Sequence, residues 1–217
     1  MKIELNSTGL IDGGTNISLR CPHCGHHGVF ILVLNRDLVV LNKQNSRSYY
    51  LGIRKCPNDK CNGHLFFIKE ENGEIIYTSP SETIPFDKES IPANVLNAFD
   101  EAIKCHSNNC FTASAIMIRK TLEEICHDRG AIGNNLKNRI KDLGSKIVLP
   151  KELLEGLDDL RLLGNDAAHI EATTFTEIGK EEIEISIDFT KEILKAVYQY
   201  EKLLNKLRNL KDKKNSA

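Results

Sequence analysis

The sequence predicts an α+β chain: a small β-rich N-terminal domain followed by an all-α helical bundle. Before about residue 80, short runs rich in β-branched and aromatic residues alternate with Gly, Asn and Asp, as strands bounded by turns do. After Pro92 the apolar residues recur at helical spacing, which is the period of an amphipathic helix. Between the two lies a stretch holding three of the six prolines amid Ser, Thr and acidic residues, the composition of a boundary. The expected division is therefore residues 1–80 as the β-rich domain, 81–92 as linker, 93–210 as the bundle and 211–217 as a basic tail.

Strands are expected over residues 16–20, 28–36, 48–55, 64–69 and 74–78, with Glu71-Asn72-Gly73 as the turn of the last hairpin because Asn-Gly supplies the required positive φ. In the second half Pro92 suits the first turn of a helix through Val95, Leu96, Phe99 and Ile103, where a missing N–H costs nothing. A second helix starts near Asn109, carries Ala113, Ile116, Met117, Thr121, Leu122 and Ile125, and stops at Arg129-Gly130, a glycine stop. A third is expected over 136–143. A fourth starts at Pro150 and runs through Leu153, Leu154, Leu157 and Leu160. The last extends from about Phe189 to Leu210, with Ile193, Leu194, Val197, Tyr198, Leu203, Leu204 and Leu207 on its apolar stripe.

Composition narrows the function classes. The chain is 41% hydrophobic with a formal net charge of −1, which excludes wholesale disorder and a general polycation, so any nucleic-acid contact needs a local basic patch. The longest apolar run, 29–34, is too short to cross a bilayer, and the start, with Lys2 and Glu4, lacks the apolar core of a secretory signal. The expected location is the cytosol, with no membrane partner. There, seven cysteines are not expected to be structural disulfides.

Four of the cysteines form two close pairs, Cys21-Pro-His-Cys24-Gly and Cys56-Pro-Asn-Asp-Lys-Cys61-Asn-Gly. A tetrahedral zinc ion takes four thiolates at about 2.3 Å, and a short Cys-x-x-Cys turn offers two sulfurs from one side. Pro after the first cysteine and Gly after the second shape such a turn and leave amides free to donate to sulfur. Four thiolates from Cys21, Cys24, Cys56 and Cys61 make a closed, structural zinc site. Exchange of one ligand for His23, His26, His27 or His64, or a metal-free cluster of buried thiols, are the alternatives. Cys105, Cys110 and Cys126 lack such spacing and are read as packing residues, and no thioredoxin-like βαβ pattern surrounds any of the seven.

The fourth helix ends in Leu160-Arg-Leu-Leu-Gly164-Asn-Asp-Ala-Ala-His169. Arg161, Asn165 and His169 are spaced i, i+4, i+8, so on a continuous helix they line one side. A cation, an amide and an imidazole so aligned can bind a phosphate and move a proton. Alternatively, Asn165 beside Gly164 closes the helix and His169 caps carbonyls.

These residues, preceded by the helix Ala113-Ser-Ala-Ile-Met-Ile-Arg119-Lys-Thr-Leu-Glu123, resemble a bacterial family of HEPN-like domains of unknown function common in restriction and phage-defence genes, here fused to a zinc ribbon. The resemblance covers about residues 91–204. It implies a HEPN-like helical bundle, usually a homodimer, whose active members are metal-independent endoribonucleases. In such members an arginine stabilises phosphate charge, a polar residue follows it, and a histidine assists proton transfer while the RNA 2′-hydroxyl attacks. Asn165 and His169 match the polar residue and the histidine, but Gly164 stands where the arginine is usual. Arg161, one turn earlier, and Arg119 on the second helix are the guanidinium groups that can take its place. Glu123 and Glu124 lie at i, i+4 from Arg119 and Lys120, as surface ion pairs do. Lys202, Lys206, Arg208, Lys211, Lys213 and Lys214 make the C-terminus locally basic, either a solvated face or a phosphate contact. Three functions remain: a metal-independent endoribonuclease, in the manner of a defence or toxin effector; a catalytically degenerate module that binds nucleic acid, RNA included, or the partner proteins of a defence locus; or a purely structural subunit of a larger complex.

Overall fold

The computed structural model describes residues 5–42, 45–169 and 178–215. Lys2, Glu4 and the last two residues of the expected tail lie outside the described residues, as do the side chains of Lys211, Lys213 and Lys214. The chain is α+β, with β-structure first and helices after, and it divides into two compact units, Met1–Pro85 and Phe86–Ala217.

The described residues of the first unit form eight strands: β1 Leu5–Asp12, β2 Ser18–Arg20, β3 His27–Val29, β4 Ile31–Leu32, β5 Arg36–Asn42, β6 Ser48–Lys55, β7 His64–Glu70 and β8 Ile75–Ser79. The main sheet is antiparallel in the order β1-β5-β6-β7-β8, with β4 also pairing β6, while β2 and β3 form a separate hairpin. The expected strand 28–36 is broken: Phe30 leaves the ladder, its side chain entering the core at 3% exposure, and 33–35 turn the chain into β5. A continuous apolar run is therefore not a continuous strand here, because its residues serve two sheets. The Glu71-Asn72-Gly73 turn forms as expected, with Gly73 at φ 98° and Glu70 N–H donating to the Glu74 carbonyl.

Ile17, Leu19, Phe30, Leu65 and Phe67 form the unit's core together with Cys21 and Cys56, so the small hairpin is packed onto the large sheet. One ion pair is buried there. Arg54 meets Asp37 through two contacts, Nη1–Oδ1 at 2.8 Å and Nη2–Oδ2 at 2.5 Å, and its guanidinium lies 4.6 Å over the Phe67 ring. The Thr15 amide also donates to Asp37, at 2.6 Å, and the Thr15 carbonyl accepts from Arg54 at 2.7 Å. Gly52 is required beside it, because a Cβ there would overlap the Asp37 carboxylate.

The second unit is helical: α1 Ala93–Ser107, α2 Phe111–Asp128, α3 Leu136–Lys146, α4 Lys151–Ala168, α5 Lys180–Leu194, a π-helical turn Lys195–Gln199 and α6 Tyr200–Asn215. Val95, Phe99, Ile118, Leu122, Ile125, Leu157, Leu163, Ile183 and Ile187 are its buried core. The side chain of Asn135 caps α3 by accepting from the Asn138 amide at 2.9 Å, satisfying one of the orphan donors of a helix start.

Two helix boundaries differ from expectation. The last helical stretch begins at Lys180, not near Phe189, because charged Lys180, Glu181, Glu182 and Glu184 surround a buried face on which polar Ser186 and Thr190 sit among Ile183, Ile187, Ile193 and Leu194. It also continues through Lys211–Lys214 to Asn215, a run of good helix formers with no breaker. The π-turn within it frees a carbonyl, and Arg129 from α2 donates to it: Nη2 lies 2.7 Å from the Val197 oxygen, with the guanidinium 4.4 Å over Tyr198. The Gln199 amide donates to the carbonyls of Asp87 and Glu89 at 3.0 and 3.2 Å, pinning the segment that leads into α1.

Candidate functional site

The four knuckle cysteines converge. Their sulfurs lie within 4.8 Å of one another, with Cys21–Cys61 at 3.8 Å and Cys24–Cys56 at 3.7 Å. Four ligands at about 2.3 Å from a tetrahedral ion stand about 3.8 Å apart, so the cluster has the dimensions of a metal cage. Cys21 and Cys24 come from the turn between β2 and β3, and Cys56 and Cys61 from the connection between β6 and β7.

Each knuckle is made by local hydrogen bonds. Gly25 N–H donates to the Cys21 carbonyl at 2.9 Å and Cys21 N–H to His26 at 2.8 Å; Cys61 N–H and Cys56 N–H likewise donate to Asn58 at 2.9 Å and Gly63 at 2.8 Å. Gly25 sits at φ 75°, the positive-φ position that follows each pair's second cysteine; Asn62 takes it in the other knuckle at φ 51°. Amides then point at sulfur: His23 N–H at 3.4 Å from Cys21 and Asn58 N–H at 3.4 Å from Cys56. Amide donation from His26, aided by the neighbouring thiols against the cost of burial, brings the Cys24 thiol down to about 7. Burial pushes the Cys56 thiol up, to about 12. A metal cation bound by such a set displaces the thiol protons to solvent and is held by the thiolate sulfurs.

None of the histidines completes the cage in place of a cysteine. The His23 ring is hydrogen-bonded to the His64 carbonyl at 2.9 Å, clasping one knuckle to the other. Asn58, which spacing does not single out, contributes twice, since its side-chain amide also reaches Cys24 at 3.7 Å.

The polar residues of the helical unit are arranged differently from a simple stripe. Arg161 and Asn165 lie on α4, but the helix ends at Ala168. His169 is the first residue beyond it, extended at φ −133° with its N–H donating to the Asn165 carbonyl, and its side chain is exposed. The Arg161 Nε donates to Asp158 at 2.6 Å, which holds the Asp158 carboxyl below its usual range. Arg119 crosses from α2, donating to the Arg161 carbonyl at 3.2 Å, and its Nε faces Glu123 at 3.4 Å. Among the described residues no hydrogen bond joins the His169 ring to Asn165 or to either guanidinium.

Gly164 has a packing reason. A Cβ there would overlap the Cβ of Arg119 and stand 3.0 Å from the Ala115 carbonyl. The α2–α4 crossing thus leaves no room for a side chain at 164, and the side chain of Arg119 fills that space from the neighbouring helix. In the basic C-terminal stretch Lys202 and Lys206 are both turned onto Glu89, at 2.5 and 3.4 Å. Leu203, Leu204 and Leu207 of α6 are exposed, so that part of the expected apolar stripe faces no partner among the described residues. Among the described residues no helix is long and apolar enough to cross a membrane.

The family described as Domain of unknown function (DUF4145) matches residues 100–213, a segment that holds Arg119, Arg161, Gly164, Asn165 and His169. Comparison with curated proteins and with solved structures finds no match.

Proposed function

The chain belongs to the DUF4145 family, and on that premise we propose that it is a HEPN-like, metal-independent endoribonuclease carrying a structural zinc ribbon. The observation that carries the reading is Arg119, whose side-chain stem packs against Gly164 and whose Nη1 donates to the Arg161 carbonyl: a guanidinium from α2 lies against α4, the helix on which the chain lacks one before Asn165. Arg119 and Arg161 neutralise the phosphate as charge builds on it, Asn165 orients the scissile group, and exposed His169 takes the 2′-hydroxyl proton or returns one to the leaving oxygen. Zinc is the ion proposed for Cys21, Cys24, Cys56 and Cys61, because four thiolates with tetrahedral spacing select it and leave no open position for chemistry. The exposed leucines of α6 offer a face for the second copy of a homodimer.

A second reading has its own observation. Both guanidinium groups already meet carboxylates, Arg119 with Glu123 and Arg161 with Asp158, as suits a degenerate module that binds RNA or proteins of a defence locus without cutting. The test is incubation of the full chain with labelled RNA in EDTA beside His169→Ala and Arg119→Ala. Loss of a charge-stabilising group costs roughly 10²–10³ in rate, so cleavage should fall by that much in each variant. Equal cleavage by all three proteins rejects the catalytic reading, and tight RNA binding without turnover selects the second.

A further inference from the structure

The turn between α1 and α2 brings two cysteines together that spacing alone does not pair. α1 ends at Ser107 with Asn108 as its C-cap, and Asn109 follows at φ 59°. The Asn109 amide donates to the His106 carbonyl at 2.8 Å and the Cys110 amide to the Cys105 carbonyl at 2.9 Å. This is the 5→2 and 6→1 pair of a Schellman cap, which makes the first and last residues neighbours across the turn. Here those residues are Cys105 and Cys110. The 6→1 bond draws the two backbones together, toward the Cα separation of about 4.4–6.8 Å that a disulfide bridges. Cys110 is exposed and Cys105 half-buried. Burial first, and then the Glu101 charge, raise the Cys105 thiol above its ordinary value, so it rests protonated.

We propose that Cys105 and Cys110 are a redox-modification site, closing into a reversible intrachain disulfide across the α1–α2 turn when a hydroperoxide oxidises Cys110. The Cys110 sulfur attacks the peroxide, an S–O bond forms as O–O breaks, and the thiol proton leaves with the departing oxygen as water. The Cys105 sulfur then attacks the sulfenic sulfur; S–S forms, S–O breaks, and hydroxide leaves as a second water with the Cys105 proton. Two thiols thus reduce one hydrogen peroxide to two waters. Cys126, buried on α2 with its thiol pushed up to about 11 by burial, is the bystander.

The test uses the full chain, treated with hydrogen peroxide, blocked with a maleimide and digested with trypsin. Lys104 and Arg119 bound one peptide, 105–119, which holds Cys105 and Cys110 and none of the four knuckle cysteines, so oxidation elsewhere does not confuse the reading. The expected result is a peptide two hydrogens lighter that carries no maleimide, and that regains two labels after dithiothreitol. In Cys110→Ser, a change suited to a helix N-cap position, Cys105 should accept one maleimide after the same treatment. Recovery of the wild-type peptide with two maleimides, or with Cys110 over-oxidised beside a labelled Cys105, overturns the proposal. So does oxidation of Cys105 that is undiminished in Cys110→Ser.

Discussion

Arg54 and Asp37 are 1% and 0% exposed in their side chains, which makes them the charged residues of the β-unit with most at stake. Burial by itself would raise the Asp37 carboxyl, but the Arg54 guanidinium and the Thr15 amide outweigh it and hold the carboxyl below its ordinary value. The sign of the pH effect follows. A carboxylate with a depressed folded-state pKa contributes stability that is fully present above the unfolded value, about 3.9, and lost as pH falls through the lower folded value. Removing one partner leaves the other buried and unpaired, which costs about 3–5 kcal/mol. Asp37→Asn should therefore lower the urea-unfolding free energy of this unit by that amount at pH 7, and the gap from wild type should narrow below pH 4. A loss under 1 kcal/mol, or a gap independent of pH, would show that water reaches the pair.

At the scale of elements, the α2–α4 crossing rests on Gly164. Gly164→Ala places a methyl against Arg119 and the Ala115 carbonyl, and overpacking of this kind costs typically 1–3 kcal/mol. A substitution that favours helix in isolation should thus lower the thermal midpoint, by several degrees in a helical unit of this size. An unchanged or raised midpoint would mean that the two helices part freely. This residue also marks where reading the sequence stops. Gly164 was legible as a departure from a motif, but its cause lies on another helix, and no pattern within α4 announces a neighbour 45 residues earlier in the chain. The metal knuckles were legible because each is made within eight residues or fewer, by local turns. The stop of α2 at Gly130 was legible for the same reason, its φ being 63°. The start of α5 was not, because Ser186 and Thr190 bury their hydroxyls by donating to the Glu182 and Ser186 carbonyls and so occupy an apolar face without apolar composition. His169 also departs from the stripe for a reason beyond spacing: i, i+8 alignment holds only while the helix lasts, and α4 ends one residue earlier.

At the scale of the whole molecule, the two units answer to different forces. The helical unit buries a continuous aliphatic core, whereas in the first unit two of the seven core residues are cysteines of the cage. A metal ion held there would add its binding free energy to folding. With the proposed zinc bound, a strong chelator should collapse the β-signal in circular dichroism and leave the helical signal standing. Cys56→Ser, which replaces a buried ligand, should bind less than one zinc per chain and mimic the chelated protein. Retention of the β-signal after complete zinc removal would show that the sheet is self-sufficient and the cage merely ornamental to its stability.

The cage is unevenly sheathed. Cys21 and Cys56 are buried and Cys61 is half-covered, but Cys24 is open to solvent. A captive ion would therefore be guarded on three sides and have one door. Rival chelators and metal-donor proteins would meet the Cys24 sulfur first, so the dwell time of the ion would depend most on that vertex. Asn58, which donates to both the Cys24 and the Cys56 sulfur, would then bear on how fast the ion is traded and on how tightly it is held.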